Sequence, residues 1–580
     1  MTKQNLYGIL IYTLCAFFPG LGMAQIPTIS SFTPASGPAG TVITITGTNM
    51  STIASENVVY FGATRALVQS ATTSQLMVSC PVGATFGPIT VSVNGRTAYS
   101  TKLFLPSFQN TTDEADLFSE ASNLATGNNP EFVHIADIDV DGKPDLIVAN
   151  TNDNTISVFR NISATGSLTA DSFAPKVDFV TSRLPWAVVS GDLNGDGKPD
   201  IAVACGGGPN VLYRNITSPG SLTSNSLESD GNFGSGGGGS IIMDDLDGDG
   251  KADIAATNYG KDSIEVYRNN STIDSIFFEK KVSFLTGADP NKLVVGDFNG
   301  DNKKDLATCN RNSNTVSVFG NVGNPGAITI SSFAAKVDFI TGDLATSYPN
   351  SLAVGDLDGD GKLDLAVANS NGTGLSIFKG TGNGGPITSS TFALKVDFSV
   401  VVNLPHDVCL GDMNGDGKLD IVINNYTDKL YVHRNLSTAG SITTSSFGPG
   451  IALTVGLDAR SIAVGDLDGD DKPDIAVTHV RVPVGLALFR NENGMVTGIN
   501  DIESLVTVFP TVVQKTLNVK GSLAKDSNLL ISDMSGKLIH PACRRHSDNH
   551  QYEIDVQSLV PGLYVLRIGR HEKAFKFIKE

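Results

Sequence analysis

A nine-residue acidic phrase returns seven times along this chain: DIDVDGKPD from Asp137, DLNGDGKPD from Asp192, DLDGDGKAD from Asp245, DFNGDNKKD from Asp297, DLDGDGKLD from Asp356, DMNGDGKLD from Asp412 and DLDGDDKPD from Asp466. Successive copies lie 55, 53, 52, 59, 56 and 54 residues apart. A period near 50 residues marks a fold built by repeating one supersecondary unit that cannot bury its apolar face alone. Each phrase is preceded by a short apolar run such as SLAVG and followed by another such as LAVAN. A third run, such as ISVFRN or VSVFGN, comes next, and most units end in a phrase like SFAAKVDF. Four short strands per unit make a propeller blade, and seven blades close into a ring with no long free sheet edge. The seventh unit stops after LALFRN and lacks its fourth strand, so Pro106–Phe118 (PSFQNTTDEADLF), ahead of the first unit, is expected to supply it.

The phrase has the donor inventory of a hard cation site. Oxygen side chains stand at positions one, three, five and nine, and position seven offers a backbone carbonyl, which together suit Ca²⁺ with its six to eight oxygen ligands. The candidate ligands are Asp137, Asp139, Asp141, Lys143 and Asp145 in the first copy, then Asp192, Asn194, Asp196, Lys198 and Asp200, and Asp245, Asp247, Asp249, Lys251 and Asp253. The fourth and fifth copies offer Asp297, Asn299, Asp301, Lys303 and Asp305, and Asp356, Asp358, Asp360, Lys362 and Asp364. The last two offer Asp412, Asn414, Asp416, Lys418 and Asp420, and Asp466, Asp468, Asp470, Lys472 and Asp474. Every lysine enters through its carbonyl alone. No imidazole or thiolate stands in the phrase, which argues against zinc and copper. Position six needs a left-handed turn and is Gly in five copies, Asn302 in the fourth and Asp471 in the seventh, so the seventh is expected to bind most weakly. About seven structural Ca²⁺ ions are expected. The side-chain positions hold 25 of the 59 acidic residues, so the formal charge of -18 is largely a metal requirement, and nothing in it favours nucleic-acid binding.

These units resemble FG-GAP/VCBS repeats, which form the calcium-binding propeller of integrin α subunits. The resemblance covers roughly residues 106–494 and implies the ring and the calcium ligands at the positions above; it names no partner. Residues 25–105 hold short alternating runs (VITITG, NVVYFG, QLMVSC, ITVSVNG) between turns. Their phrases IPTISSFTPASGPAGTVITITGTNMS and GPITVSVNG resemble the immunoglobulin-like IPT/TIG domain, with Pro34, Gly37, Gly40, Gly47 and Gly62 as turn residues. In residues 495–580, VFPTVVQKTLNV, LLISDMSGKLI and VQSLVPGLYVLRI resemble the C-terminal sorting domain of type IX secretion in Bacteroidetes, although Thr511 departs from that pattern. That resemblance implies a small β-sandwich and the type IX machinery as a partner.

Residues 1–24 have the layout of a signal peptide: Lys3, an apolar run from Tyr7 to Phe18, and small residues at Gly22 and Ala24. No later stretch has the 18 apolar residues of a membrane helix. The expected fold is therefore all-β, a seven-bladed propeller between an immunoglobulin-like sandwich and a smaller C-terminal sandwich. The protein is expected to be secreted or attached to the outer surface of a Bacteroidetes-type bacterium.

No catalytic constellation is evident: there is no His-Glu metal motif, no G-x-S-x-G elbow and no acid pair apart from the loops. His134, His406, His433 and His479 fall in or beside strands and read as packed or solvated; Cys205, Cys309 and Cys409 read as small core residues. Cys543, His546 and His550 lack an evident fourth ligand and read as a polar loop. Trp186 reads as local packing and Gly236–Gly239 as packing or a long flexible loop. The leading reading is a non-catalytic binding or adhesion protein for an extracellular glycan or protein ligand. The competing reading is a polysaccharide lyase or hydrolase, because two carboxylates brought together only by the fold leave no motif.

Overall fold

The computed structural model describes residues 25–580 except 109–117, 343–345, 373, 400–403, 482–484, 494–506, 510–511, 521–528, 534–536, 540–542, 546–550 and 569–572. The expected signal peptide, Thr511, His546 and His550 lie outside the described residues.

Seven four-stranded antiparallel sheets follow one another along residues 122–489. Blade one is typical, with strands Pro130–Ala136, Asp145–Asn150, Thr155–Phe159 and Val177–Val180 in sequential order. Its second strand is buried at every residue, as expected for the middle of a stack, while the outer strand alternates. An apolar cluster fills every gap between neighbouring blades. Ile147, Ile156, Ile201 and Val203 join blades one and two, and Leu146, Val148, Leu467 and Leu486 join blades one and seven. Five further clusters fill the gaps between, which makes the ring continuous.

Blade seven is completed from the N-terminal side, but further along than expected. Ser122–Leu124 pairs antiparallel with Gly485–Phe489 through Ser122 to Leu488, Asn123 to Ala487 and Leu124 to Leu486. Among the described residues of the segment Pro106–Phe118, Phe118 alone pairs with blade seven, by an isolated bridge to Asn491; residues 109–117 lie outside the described residues. The strand falls where a buried Leu can enter the gap between blades: Leu124 is 7% exposed and belongs to the cluster joining blades seven and one.

Six of the seven blades are also stapled by one amide each. The Asn that ends the third-strand phrase donates to two carbonyls, one in its own loop and one at position two of the preceding loop. Asn215 Nδ2 reaches Pro199 O at 2.9 Å and Ile138 O at 2.8 Å, and Asn161 closes the circle onto Leu467 O at 2.8 Å. Asn269, Asn321, Asn435 and Asn491 repeat the pattern. Blade five has Gly380 there, where an added Cβ would lie 2.3 Å from Leu363 O. Asn215→Ala removes both donations, leaving the Pro199 carbonyl without its donor while Ile138 O keeps Thr217 Oγ1 at 3.2 Å, so it is expected to cost about 2 kcal/mol in a urea titration. A loss within the scatter of the fit would show that the amide is not a staple.

The immunoglobulin-like module has two sheets. One contains Thr28–Thr33, Val42–Thr48, Gln75–Ser79 and Val68–Ala71; the other contains Ser36–Gly37, Arg96–Pro106, Gly87–Val93, Val58–Phe61 and Thr64–Ala66. Ile43, Ile45, Phe61, Leu76, Ile89 and Phe104 are fully buried between them.

The module and the ring form one compact unit. The module lies on the face that carries the acidic loops, where Tyr60 Oη donates to Gly197 O at 3.1 Å, Thr97 N to Gly250 O at 2.7 Å and Gly83 N to Asp466 Oδ2 at 3.2 Å. Arg96 Nη1 donates to Asp249 O at 2.9 Å, and Lys304 Nζ donates to Ser100 O at 3.1 Å. Phe86 and Leu105 pack on the cluster between blades five and six. The C-terminal unit, Gly494–Glu580, is a separate pair of small sheets around Leu517, Ile531, Ile554, Leu566 and Phe577.

Candidate metal centres

Each acidic phrase is the turn between the first and second strands of its blade, and position nine is the first residue of the second strand in all seven. The turn is held by carboxylates accepting backbone N–H groups. In loop one, Asp137 Oδ1 accepts from Asp141 N at 3.0 Å and Oδ2 accepts from Gly142 N at 3.1 Å. The same position-one pattern returns at Asp192, Asp245, Asp297, Asp356, Asp412 and Asp466. Position six is left-handed throughout, including Asn302 at φ 67° and Asp471 at φ 71°. The short polar side chains of those two residues tolerate the conformation that glycine adopts elsewhere. Position four is left-handed too, Gly in six loops and Val140 at φ 56° in the first, a requirement not anticipated from the sequence.

The four loops with aspartate at positions one and three bring three carboxylates within 4.8 Å of one another: Asp137, Asp139 and Asp145; Asp245, Asp247 and Asp249; Asp356, Asp358 and Asp360; Asp466, Asp468 and Asp474. In three of them the position-three carboxylate has one oxygen buried without any hydrogen-bond partner: Oδ1 of Asp139, Asp358 and Asp468. A buried anionic oxygen with no donor is costly unless a cation meets it. Burial pushes the position-one carboxyls up, to about 7 for Asp137, Asp245 and Asp466 and to about 6 for Asp192 and Asp412. This donor set of carboxylate and carbonyl oxygen fits Ca²⁺.

Two predicted ligands have additional roles. The position-nine carboxylates are fully buried and clamp the loop to the third strand: Asp145 Oδ2 accepts from Ile138 N at 3.0 Å and Oδ1 from Asn161 N at 2.7 Å. Asp200, Asp253, Asp305, Asp364, Asp420 and Asp474 do the same. Five of the position-seven lysines extend away from the turn, as Lys143 Nζ donates to Ser163 O at 2.7 Å and Lys198 Nζ to Thr217 O at 2.8 Å, whereas Lys472 Nζ turns to Asp470 Oδ2 of its own loop at 3.3 Å.

A cation at the end of the third strand accompanies each four-carboxylate loop. Arg268 Nε and Nη2 lie 2.5 Å from Asp247 and Asp249, and Arg490 lies 2.5 Å from Asp468 and 2.6 Å from Asp470. Arg160 and Lys379 bridge positions three and five of loops one and five. Where position three is Asn, blade four has Gly320 at that place, and Arg214 of blade two turns to Asp274 O and Glu228.

Among the other candidates, Cys80, Cys205 and Cys309 are buried free thiols, pushed up to about 12 by burial, and Cys409 is half-buried with the same shift. His433 and His479 are buried, and His134 contacts Ser190 Oγ at 2.9 Å. His406, expected to be packed or solvated, and Trp186, expected to be local packing, both line an open cavity of about 560 Å³. Gly236–Gly239 is closely packed, an added Cβ at Gly236 falling 2.0 Å from Gly208 O.

The FG-GAP-like repeat family matches residues 137–203, 245–308, 356–423 and 412–477. This chain carries FG-GAP-like repeats. On either side of these repeats, the IPT/TIG domain family matches residues 27–108 and the secretion system C-terminal sorting domain matches 507–580. The sorting domain marks the chain for export by the type IX system, to the cell surface or into the medium. Cartilage acidic protein 1 of Xenopus tropicalis is 23% identical over 343 residues, 53% of this chain and 50% of that protein, so the chain spans about half the length of the relative it matches. Among solved structures, the periplasmic gluconolactonase of Pseudomonas aeruginosa aligns at 16% identity and a TM-score of 0.40, over 69% of this chain and 97% of that one. An auxiliary nutrient binding protein of Bacteroides ovatus aligns at 15% identity and a TM-score of 0.30, over 70% and 95%.

Proposed function

We propose that this FG-GAP-repeat chain is a calcium-stabilised, non-catalytic binding protein of a Bacteroidetes-type cell surface or its surroundings, taking an extracellular glycan or protein ligand. The observation that carries the calcium reading is the orphaned Oδ1 of Asp139, Asp358 and Asp468, each buried inside a carboxylate cluster. The candidate ligands are the residues at positions one, three and five, the position-seven carbonyl and the position-nine carboxylate of every loop. Bound Ca²⁺ supplies charge neutralisation and a rigid turn. The protein supplies the oxygen cage, the left-handed turn and the third-strand cation that offsets the fourth carboxylate. The docked immunoglobulin-like module covers the loop face, which leaves the opposite mouth of the ring as the recognition surface. Its acidic groups support binding rather than acid–base chemistry: Glu131 faces Arg460 at 3.5 Å and Asp407 faces Lys292 at 3.7 Å.

Calcium titrated calorimetrically into chelated secreted protein is expected to give about seven sites, with dissociation constants of about 10⁻⁴ to 10⁻³ M as in other extracellular modules. Absence of any calcium uptake would end this reading. A glycan and matrix-protein array on the loaded protein then tests recognition, and turnover of a polysaccharide panel without a saturable hit would favour the enzyme.

A further inference from the structure

The repeats are nearly uniform at the acidic loops and vary strongly at the residue six before each loop's first aspartate. That position holds Glu131, Trp186, Gly239, Asn291, Asn350, His406 and Arg460 in blades one to seven. All seven line one open cavity of about 560 Å³, within the range of about 300–1,000 Å³ over which small-molecule sites fall. A structural requirement of the blade would repeat with the blade, whereas six residue types over seven blades, converging on one axis, make a shaped surface.

We infer that this open mouth is a saccharide-binding site that takes the neutral end of a glycan. The inference rests on the binding reading above. Two aromatic surfaces face the cavity. Trp186 stacks on Tyr259 with centroids 5.2 Å apart and planes 24° from parallel, and Tyr426 lies edge-on to His406 at 4.6 Å with the Arg460 guanidinium 5.0 Å over its ring. Between them runs a chain of planar polar groups: Asn291 Nδ2 donates to Asn350 Oδ1 at 2.9 Å and Asn350 Nδ2 to the His406 carbonyl at 2.9 Å. His406 Nδ1 lies 2.7 Å from the Arg460 carbonyl, which can only accept, so the neutral ring presents Nε2 as an acceptor. Ser461 lines the cavity at 4% exposure, and its hydroxyl has no hydrogen-bond partner. The charges in the lining balance: Glu131, Asp289 and Asp407 stand against Lys292, Arg311 and Arg460. A ligand of strong charge finds no net field here. A ring with an apolar C–H face for the aromatic walls and hydroxyls for the amides, His406 and Ser461 meets every group named.

Trp186 is the only tryptophan of the chain, so its emission reports the mouth directly. The test titrates the full-length secreted protein, in excess calcium, with neutral disaccharides of glucose, galactose, xylose and N-acetylglucosamine, with a digalacturonate and with glycylglycine. The expected result is a saturable emission change with at least one neutral disaccharide. Calorimetry should show that affinity weakened about tenfold in Tyr259→Ala and in Ser461→Ala, with melting temperature and calcium uptake unchanged. Tyr259 sits at the rim at 36% exposure, so its truncation leaves the blade cores intact. No saturable change with any neutral disaccharide overturns the inference, as does a response confined to digalacturonate or glycylglycine, or affinity unmoved in both variants. Saccharide binding without calcium uptake would retire the calcium reading and keep this site; calcium uptake with only protein hits on the array would keep that reading and retire this site.

Discussion

Chelated protein is expected to melt at lower temperature than calcium-loaded protein, and the gap to widen between pH 5 and pH 8. The position-one carboxyls Asp137, Asp245 and Asp466 stand at about 7 and Asp192 and Asp412 at about 6, all raised by burial, whereas an unfolded aspartate titrates near 3.9. Between those limits the metal-free folded state binds more protons than the unfolded chain, so its stability falls as pH rises. The protonated contribution is complete below about pH 4 and is lost by the time pH has passed through 7. Calcium replaces those protons as the partner of the carboxylates, which makes the loaded ring nearly flat over the same range. At ten times its dissociation constant each ion adds about 1.4 kcal/mol, and seven sites in one cooperative ring make the effect large. Differential scanning calorimetry at pH 5, 6, 7 and 8, with and without chelator, checks this. Coincident melting at pH 8 would contradict it. The double variant Asp137→Asn and Asp245→Asn is expected to bind two fewer ions and to flatten the chelated profile in part.

What was legible in the sequence followed from repetition. The acidic phrase fixed the number of blades and placed the turn between first and second strands, because oxygen donors at alternate positions around a left-handed residue have one compact arrangement. The phrase ISVFRN read as a strand, but the role of its terminal Asn was not legible, since the carbonyl it reaches lies in the preceding unit, as Asn215 to Ile138 shows. The lysine at position seven was legible only as a carbonyl, although its ammonium also ties the loop to the segment after the third strand. The docking of the immunoglobulin-like module left no pattern because most of its hydrogen bonds have a backbone group on one side, as Tyr60 Oη meets Gly197 O and Lys304 Nζ meets Ser100 O. Trp186 was legible singly as local packing and His406 as a packed or solvated residue. Their shared place at the cavity wall emerges only when seven units are superposed and the position that fails to repeat is noticed. The family likenesses add the repeats, the module and the sorting domain, and leave the ligand to the mouth itself.

Disrupting the three-residue strand that closes the ring is expected to destabilise the protein far more than its length suggests. Ser122–Leu124 covers the free edge of the seventh blade, and Leu124 enters the core shared with blade one beside Val133, Leu486 and Leu488. Leu124→Ala should cost about 2–5 kcal/mol, as for other buried leucines, and Leu124→Asp more, because it places a carboxylate with no partner among apolar side chains. Both losses fall on the one blade whose strands are not covalently continuous, since Ser122–Leu124 runs on by chain into blade one but is held to Gly485–Phe489 only through hydrogen bonds and packing. The consequence is opening of the ring there, which exposes the edge of Gly485–Phe489 as a template for pairing with other chains. Thermal melting followed by light scattering should therefore show Leu124→Asp melting early and aggregating as it melts, while Leu67→Asp, at a position 80% exposed on the module, melts as the parent does. A synthetic peptide of residues 118–126 added in trans should raise the melting temperature of the Leu124→Asp protein by reoccupying the edge. If Leu124→Asp melts with the parent, closure rests elsewhere; if it melts early but the peptide gives no rescue, Leu124 acts through the core alone and not through the strand.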